Sequence, residues 1–263
     1  DCHGGTVYCL ASYDAGSKKL VTLSHPFSVD VDSAKMEFYE PEKETEDVVL
    51  FSKFGMIGEF FLGRMVGGVF EGSRSPGFEH PDTLFRIKDM PLRLCTAVRV
   101  DSTKTYRYVR YFGPRGGFGN VSEVGFYSSW ADTEPLKGDI LGPQEGAHGS
   151  HSYFNVFDGY TDTSYDHPFD YGGWAGLDLG EKKAIGKIVY TPRNRDNFVR
   201  KDDLYELLVC HGGEWKSAGT QVAQSDSLLF RNIPKHALLL LRDLSRGEAE
   251  RLFEYKDGIQ KYW

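Results

Sequence analysis

The chain has 263 residues and a net charge of −7, from 31 basic against 38 acidic side chains, a length that allows one large or two ordinary domains with a real core. Aromatics at 14%, 30 glycines and 11 prolines favour short strands joined by many turns, and no run of eighteen apolar residues exists to span a membrane as a helix. The acidic balance opposes a phosphate-binding surface, so nucleic acid is not an expected partner.

The N-terminus shows no charged, then apolar, then small-residue signal pattern. Asp1-Cys2-His3-Gly4-Gly5 reads as the interior of a longer polypeptide. Residues 6–13 and 20–31 are β-rich, with Asp14 to Ser17 as the turn between them. Glu37 to Asp47 is acidic, holds a proline and reads as a linker or exposed loop. Residues 1–46 are therefore either the tail of a preceding domain or the start of the next sandwich.

Strand patterns follow at Asp47 to Phe51, within Arg64 to Phe78, at Thr83 to Ile87, at Tyr106 to Tyr111 and within Gly117 to Tyr127. Tyr106 to Tyr111 alternates an aromatic or apolar face with a partly basic one. Arg107, Arg110 and Arg115 are expected to line a sandwich face. Gly113 to Gly119 is glycine-rich but lies between two strands and opens no helix, so it reads as a turn and not as a phosphate cradle. Pro135 to Gly142 reads as a connection. Beyond it, Trp174 to Gly180, Ile188 to Thr191, Leu204 to Val209 and the aromatic stretch to Trp263 give a second run of strands. The two runs are loosely parallel, each carrying a glutamate (Glu123, Glu250) three residues before a phenylalanine (Phe126, Phe253). The expected organisation is all-β, with units at 47–131 and 136–263.

Of the four cysteines, Cys95 and Cys210 are expected as buried thiols in apolar strands. An extended run from Cys2 to Cys9 spans roughly 23 Å, so that pair bonds only if Gly4-Gly5 turns the chain. No Cys-x-x-Cys is present, and His148 and His151 lack partners at zinc-ligand spacing. Gly-x-Ser-x-Gly, His-Glu-x-x-His and phosphate-loop motifs are also absent. The expectation is a chain that does not catalyse.

Residues 154–180 carry the most information. Asp158-Gly159 opens a polar loop that closes on Asp162-Thr163, and the chain then runs into Trp174-Ala175-Gly176-Leu177-Asp178-Leu179-Gly180. A Tyr-Thr-Pro-Arg loop at Tyr190 to Arg193 and a Gly-Gly-Glu-Trp hairpin at Gly212 to Trp215 follow. These four elements, in this order, resemble the discoidin-type, galactose-binding-like β-sandwich of coagulation-factor C domains and bacterial carbohydrate-binding modules. The resemblance implies two tandem galactose-binding-like jelly-roll β-sandwiches that bind a glycan. It further implies a secreted or cell-surface setting, with a catalytic domain upstream in the same polypeptide. It implies a structural calcium held by Asp158, Asp162, Thr163 and Glu250, since calcium takes six to eight hard oxygens, several from backbone carbonyls. The competing reading is that Asp158 and Asp162 only shape the loop. In the first run, Glu123 stands without an Asp-Gly loop.

Sugar recognition needs a flat aromatic face and planar hydrogen-bonding groups. The loops of the second run offer Tyr160, Tyr165, His167, Phe169, Tyr171, Arg193, Asn194, Arg195 and Asn197. From these, the expected carbohydrate-binding set is Tyr165, His167, Tyr171, Arg193, Asn194 and Asn197. The alternative is that the aromatics cap the core and that Arg193 pairs with an inner carboxylate such as Asp178. Arg195-Asp196 and Lys201-Asp202-Asp203 replace glycines usual in the family, which implies a stiffer loop. The remaining alternative is a structural or protein-interaction module with no sugar binding.

Overall fold

The computed structural model describes residues 7–17, 20–38, 41, 43–53, 60–146, 148–211, 214–246 and 251–262. The protein is almost entirely β, as the composition leads one to expect. Among the described residues the helical turns are Phe60–Gly63 and two 3-10 segments, Gln144–Gly146 and Tyr153–Phe157.

The chain divides into two compact units, but not at the expected break. One unit comprises Met56–Asp196, and the other is built from both flanks, Asp1–Gly55 and Asn197–Trp263. The expected division into 47–131 and 136–263 is therefore corrected. Glu123–Tyr127, assigned to the first run, pairs with Lys187–Thr191 of the second. Thr45–Leu50 likewise pairs with Leu228–Pro234. Alternation reveals that a segment is a strand and which face it buries, but not its neighbour, so two runs of similar strands imitated a repeat.

The inner unit has a five-stranded antiparallel sheet in the order Asp139–Leu141, Trp174–Ala184, Thr105–Phe112, Val69–Ser73, Asp82–Arg86. A three-stranded sheet, Glu123–Tyr127, Lys187–Thr191, Thr96–Arg99, covers its core face. Phe70 packs against Tyr111 of its own sheet at 5.3 Å, and against Tyr190 and Phe126 of the other at 5.3 and 6.2 Å. All four are buried, so aromatic rings lock the two layers together.

The central strand Thr105–Phe112 departs from strict alternation. Its register against Trp174–Ala184 shifts between Tyr106 and Tyr108. That bulge changes the parity, so Tyr106, Val109 and Tyr111 join the core cluster while Tyr108 does not. Arg107 and Arg110 lie on the outer face as expected, whereas Arg115 stands in the loop beyond the strand and not on a sheet face. Arg107 grips Asp178 with two hydrogen bonds of 2.7 and 2.9 Å, and Arg110 pairs with Glu71 at 2.7 Å beneath the Phe78 ring. Asp178 is thus Arg107's partner and not Arg193's.

The outer unit contains a five-stranded sheet in the order Glu214–Val222, Leu204–His211, Leu238–Asp243, Leu252–Lys256, Ile259–Tyr262. With the Thr45–Leu50 and Leu228–Pro234 pair it buries Leu50, Tyr205, Leu207, Phe230, Leu239, Leu241 and Phe253. Lys53 and Asp243 form a buried ion pair at 3.0 Å. Two smaller sheets complete it: Val7–Tyr8, Phe27–Asp30 and Lys35–Phe38, and the hairpin Ala11–Tyr13 with Leu20–Leu23. Asp14 Oδ1 accepts from the Gly16 and Ser17 amides, which fixes the expected turn.

The region expected as a linker includes the ends of two strands, Lys35–Phe38 and Thr45–Leu50. Cys210 is buried as expected, whereas Cys95 is exposed, because it precedes the edge strand Thr96–Arg99. Cys2 and the Gly212-Gly213 turn lie outside the described residues.

Candidate functional site at the loop end of the inner unit

Strand registers place a group of loops at one end of the inner unit. Phe112 pairs with both Trp174 and Val69, and Glu123 pairs with Thr191. The loops 113–122, 158–173 and 192–196, with the turn Phe60–Gly63, therefore leave the two sheets on the same side. Their backbones touch. Gly113 N–H donates to the Gly173 carbonyl at 2.9 Å, and a Cβ on Gly119 would meet Gly173 Cα at 3.0 Å. Only glycine allows that approach.

The expected sugar-binding residues separate into two groups. Tyr165 is wholly buried, with its hydroxyl 2.8 Å from His167 Nδ1, and His167 is buried too. Burial pushes the His167 imidazole below its usual range, countered in part by Glu145. Asn194 is buried and ties two loops together, donating to the carbonyls of Thr161 and Pro192 at 2.9 and 3.0 Å. Asn197 is buried and belongs to the outer unit, where its carbonyl accepts from the Lys53 amide. These four shape loops and are withdrawn as direct contacts, because a ligand cannot reach their side chains. Tyr171, at 57% exposed, and Arg193 remain.

Around these two, the fold gathers residues that lie far apart in the chain. Arg193 pairs with Asp166 Oδ2 at 2.7 Å, and Asn120 donates to Asp166 Oδ1 at 2.6 Å. Arg64 donates to Asn120 Oδ1 at 3.0 Å and lies over the Phe118 ring at 4.7 Å. Exposed Phe169 stacks on Tyr171 with ring centres 6.5 Å apart, and Arg115 lies over Tyr171 at 5.1 Å. Phe118, Arg195 and Asp196 have φ of 53°, 51° and 59°, left-handed conformations that glycine adopts without strain. The 192–196 loop thus keeps a glycine-like backbone on residues other than glycine, at a cost. Sequence analysis missed Asp166, Phe61, Phe118 and Arg64. Of these, Asp166, in the Asp-His-Pro-Phe run, stood inside the loop stretch marked for ligand contact, while Arg64 and Phe118 read only as strand or turn residues.

The expected metal residues form a different picture. Asp158 Oδ1 accepts from Tyr160 N–H at 2.8 Å, and Thr163 Oγ1 donates to Asp158 Oδ2 at 2.9 Å. The loop therefore closes on itself, and Asp162 is exposed. Glu250 lies outside the described residues. Glu123 instead faces this loop, its Oε2 accepting from Gly159 N–H at 3.2 Å. Burial, with the Asp158 charge, pushes the Glu123 carboxyl up to about 8, against the opposing Gly159 amide. A cavity of about 440 Å³ opens beside both carboxylates, walled by Val124, Leu136, Ile140 and Phe157. Among the described residues, no three His, Cys, Asp or Glu side chains converge as a metal site. His151 Nδ1 sits 3.2 Å from Ser164 Oγ, a contact within the loops.

Comparisons with family models, with curated proteins and with solved structures find no match for this chain.

Proposed function

We propose that this chain is a carbohydrate-binding protein without catalytic activity of its own, and that the inner unit is a discoidin-like, galactose-binding-like jelly roll. One observation carries the reading: the exposed Phe169–Tyr171 stack stands on the same loops as the Asp166–Arg193 pair. An aromatic face receives the C–H side of a sugar ring, while a fixed carboxylate and a guanidinium fork receive its hydroxyls. The loops are clamped by buried groups (Tyr165 with His167, and Asn194), so the donors are positioned before a ligand arrives.

The same reading includes a structural calcium at the Asp158 corner, with Glu123 in the role expected of Glu250. The donor set there is oxygen only: two carboxylates, Thr163 Oγ1 and the loop's carbonyls, as calcium requires. When bound, the ion would stabilise the loop. Glu123 and Asp158 would hold it, and the carboxyl of Glu123 would give up its proton to do so. A secreted or cell-surface setting and a catalytic neighbour in the same polypeptide belong to this proposal.

The test is a glycan array with the whole chain, followed by titration of each hit against Tyr171→Ala and Arg193→Ala. Reproducible sugar binding that both variants weaken supports the reading, and silence across the array refutes it. The interaction-module reading rests on a different observation: Leu10, Tyr13, Met36 and Phe38 of the outer unit are all more than half exposed. It predicts a silent array.

A further inference from the structure

The loop end of the inner unit gathers positive charge in a chain whose net charge is negative. Arg64, Arg193 and Arg195 lie 5.3, 4.7 and 4.6 Å from the centre of one ring, that of Phe61. Arg115, over Tyr171, stands at the same end. Asp166 is a carboxylate paired with this group, meeting Arg193 at 2.7 Å and Arg64 at 3.8 Å. Arg115 and Arg195 are exposed, and among the described residues neither has a carboxylate within ion-pair distance. Burial and the neighbouring Arg193 charge both press the Arg64 guanidinium below its usual range, with Asp166 opposing.

Like charges held around one ring repel each other, and aromatic faces offset only part of that repulsion. The backbone adds a second cost. Arg195 and Asp196 both sit in the left-handed region, a strain of roughly 1 kcal/mol or more each that glycine would remove. Asn194 Oδ1 holds this turn by accepting from Asp196 N–H at 2.9 Å. A strained turn that aims an unpaired arginine at a cluster of arginines does not stabilise the fold. It is explained if an anion completes the cluster.

We propose that the preferred ligand is an anionic saccharide, one whose sugar carries a carboxylate or sulfate, with Arg195 and Arg115 as its charge-recognising residues. This inference rests on the glycan-binding reading and specifies its ligand. The aromatic platform takes the ring, and the guanidinium forks take the anionic oxygens two at a time.

The experiment titrates the whole chain against three matched probes at low and physiological salt. They are an oligogalacturonate, the same oligosaccharide with its carboxyls reduced to alcohols, and a sulfated galactan oligosaccharide that carries no carboxylate. The key variant is Arg195→Gly, which removes the guanidinium while relaxing the backbone, so loss of folding cannot mimic loss of binding. The expected result is about tenfold weaker binding by Arg195→Gly to the charged probe, with an unchanged or raised melting temperature. Arg115→Gln should cost a similar factor, and added salt should narrow the gap between charged and reduced probes. Preference for uronate over sulfate, or the reverse, identifies which anion is read. Equal affinity for charged and reduced probes, untouched by either variant, would overturn the inference while leaving glycan binding intact. Binding of none of the three, with a silent array, would remove both. Tighter binding to a single-stranded oligonucleotide than to any saccharide would overturn the saccharide assignment.

Discussion

Replacing Glu123 with glutamine should flatten the dependence of stability on pH. In the folded chain its carboxyl titrates at about 8, against an ordinary value of 4.5. A native carboxyl pKa raised above the unfolded one means that the folded state binds the extra proton between those values. Its contribution to stability is fully present below 4.5 and is lost as pH rises through about 8. For a fully buried group, a shift of about 3.5 units at 1.36 kcal/mol each corresponds to about 5 kcal/mol. Glu123 is only partly buried, and solvent screening reduces the figure to about 1–2 kcal/mol. Denaturant unfolding at pH 5, 7 and 9 in chelator reads this directly. The wild type should lose about 1–2 kcal/mol more than Glu123→Gln between pH 5 and 9. Calcium should restore the wild type at pH 9 more than at pH 5, because the proton competes with the ion. Parallel pH profiles in chelator would refute the raised pKa, and a wild type indifferent to calcium at every pH would refute the ion.

Asp243→Ala removes the carboxylate that meets the buried Lys53 ammonium at 3.0 Å and should cost about 3–5 kcal/mol by denaturant unfolding, a loss below 1 kcal/mol showing the charge to be otherwise satisfied. Tyr165→Phe removes the hydroxyl from His167 Nδ1 and should cost about 1 kcal/mol in stability, with a smaller loss of glycan affinity than Tyr171→Ala, since Tyr165 is buried and acts only by holding the loops. Tyr171→Ala should do the opposite, weakening glycan affinity by about 1 kcal/mol with no change in melting temperature, as measured by calorimetry of both. Replacing residues 56–196 by a short glycine turn should leave the outer unit folded, because Lys53 N–H donates to Asn197 O at 2.7 Å and Val199 N–H to Phe51 O at 2.9 Å. Division at residues 132–135 should instead leave two unfolded fragments, as it parts Glu123–Tyr127 from Lys187–Thr191. Circular dichroism distinguishes the two cases.

Much of the strand content was legible because alternation is a local property. Trp174 to Gly180 and Tyr106 to Tyr111 both lie within strands, and the Asp14 turn forms where its residues require. The partition into units was not legible, since strand pairing between residues 45–50 and 228–234 leaves no mark on either segment. The candidate site was half legible for a related reason. Loop composition marked 160–173 and 193–197 but could not tell Tyr171, which faces solvent, from Tyr165, six residues earlier and wholly buried. Arg64 and Phe61 were invisible as site residues because only the fold carries them to Arg193. Glu123 had been noted beside its phenylalanine, yet assigned to a unit that lacked the Asp-Gly loop. Folding brings it to that loop.

The insertion of one unit's sequence between the two segments of the other sets an order of events during synthesis. Thr45–Leu50 leaves the ribosome early, but its partner Leu228–Pro234 follows only after the whole of Met56–Asp196 has been made. At about 5–20 residues per second, that strand waits on the order of ten seconds or more with its apolar Val48 and Leu50 uncovered. The inner unit, complete at Asp196, has every strand it needs before then. It can therefore fold first, while the nascent N-terminal segment is still a substrate for chaperones or for pairing with another chain. The outer unit is where misassembly would begin, and slower translation across 197–228 would lengthen that exposure.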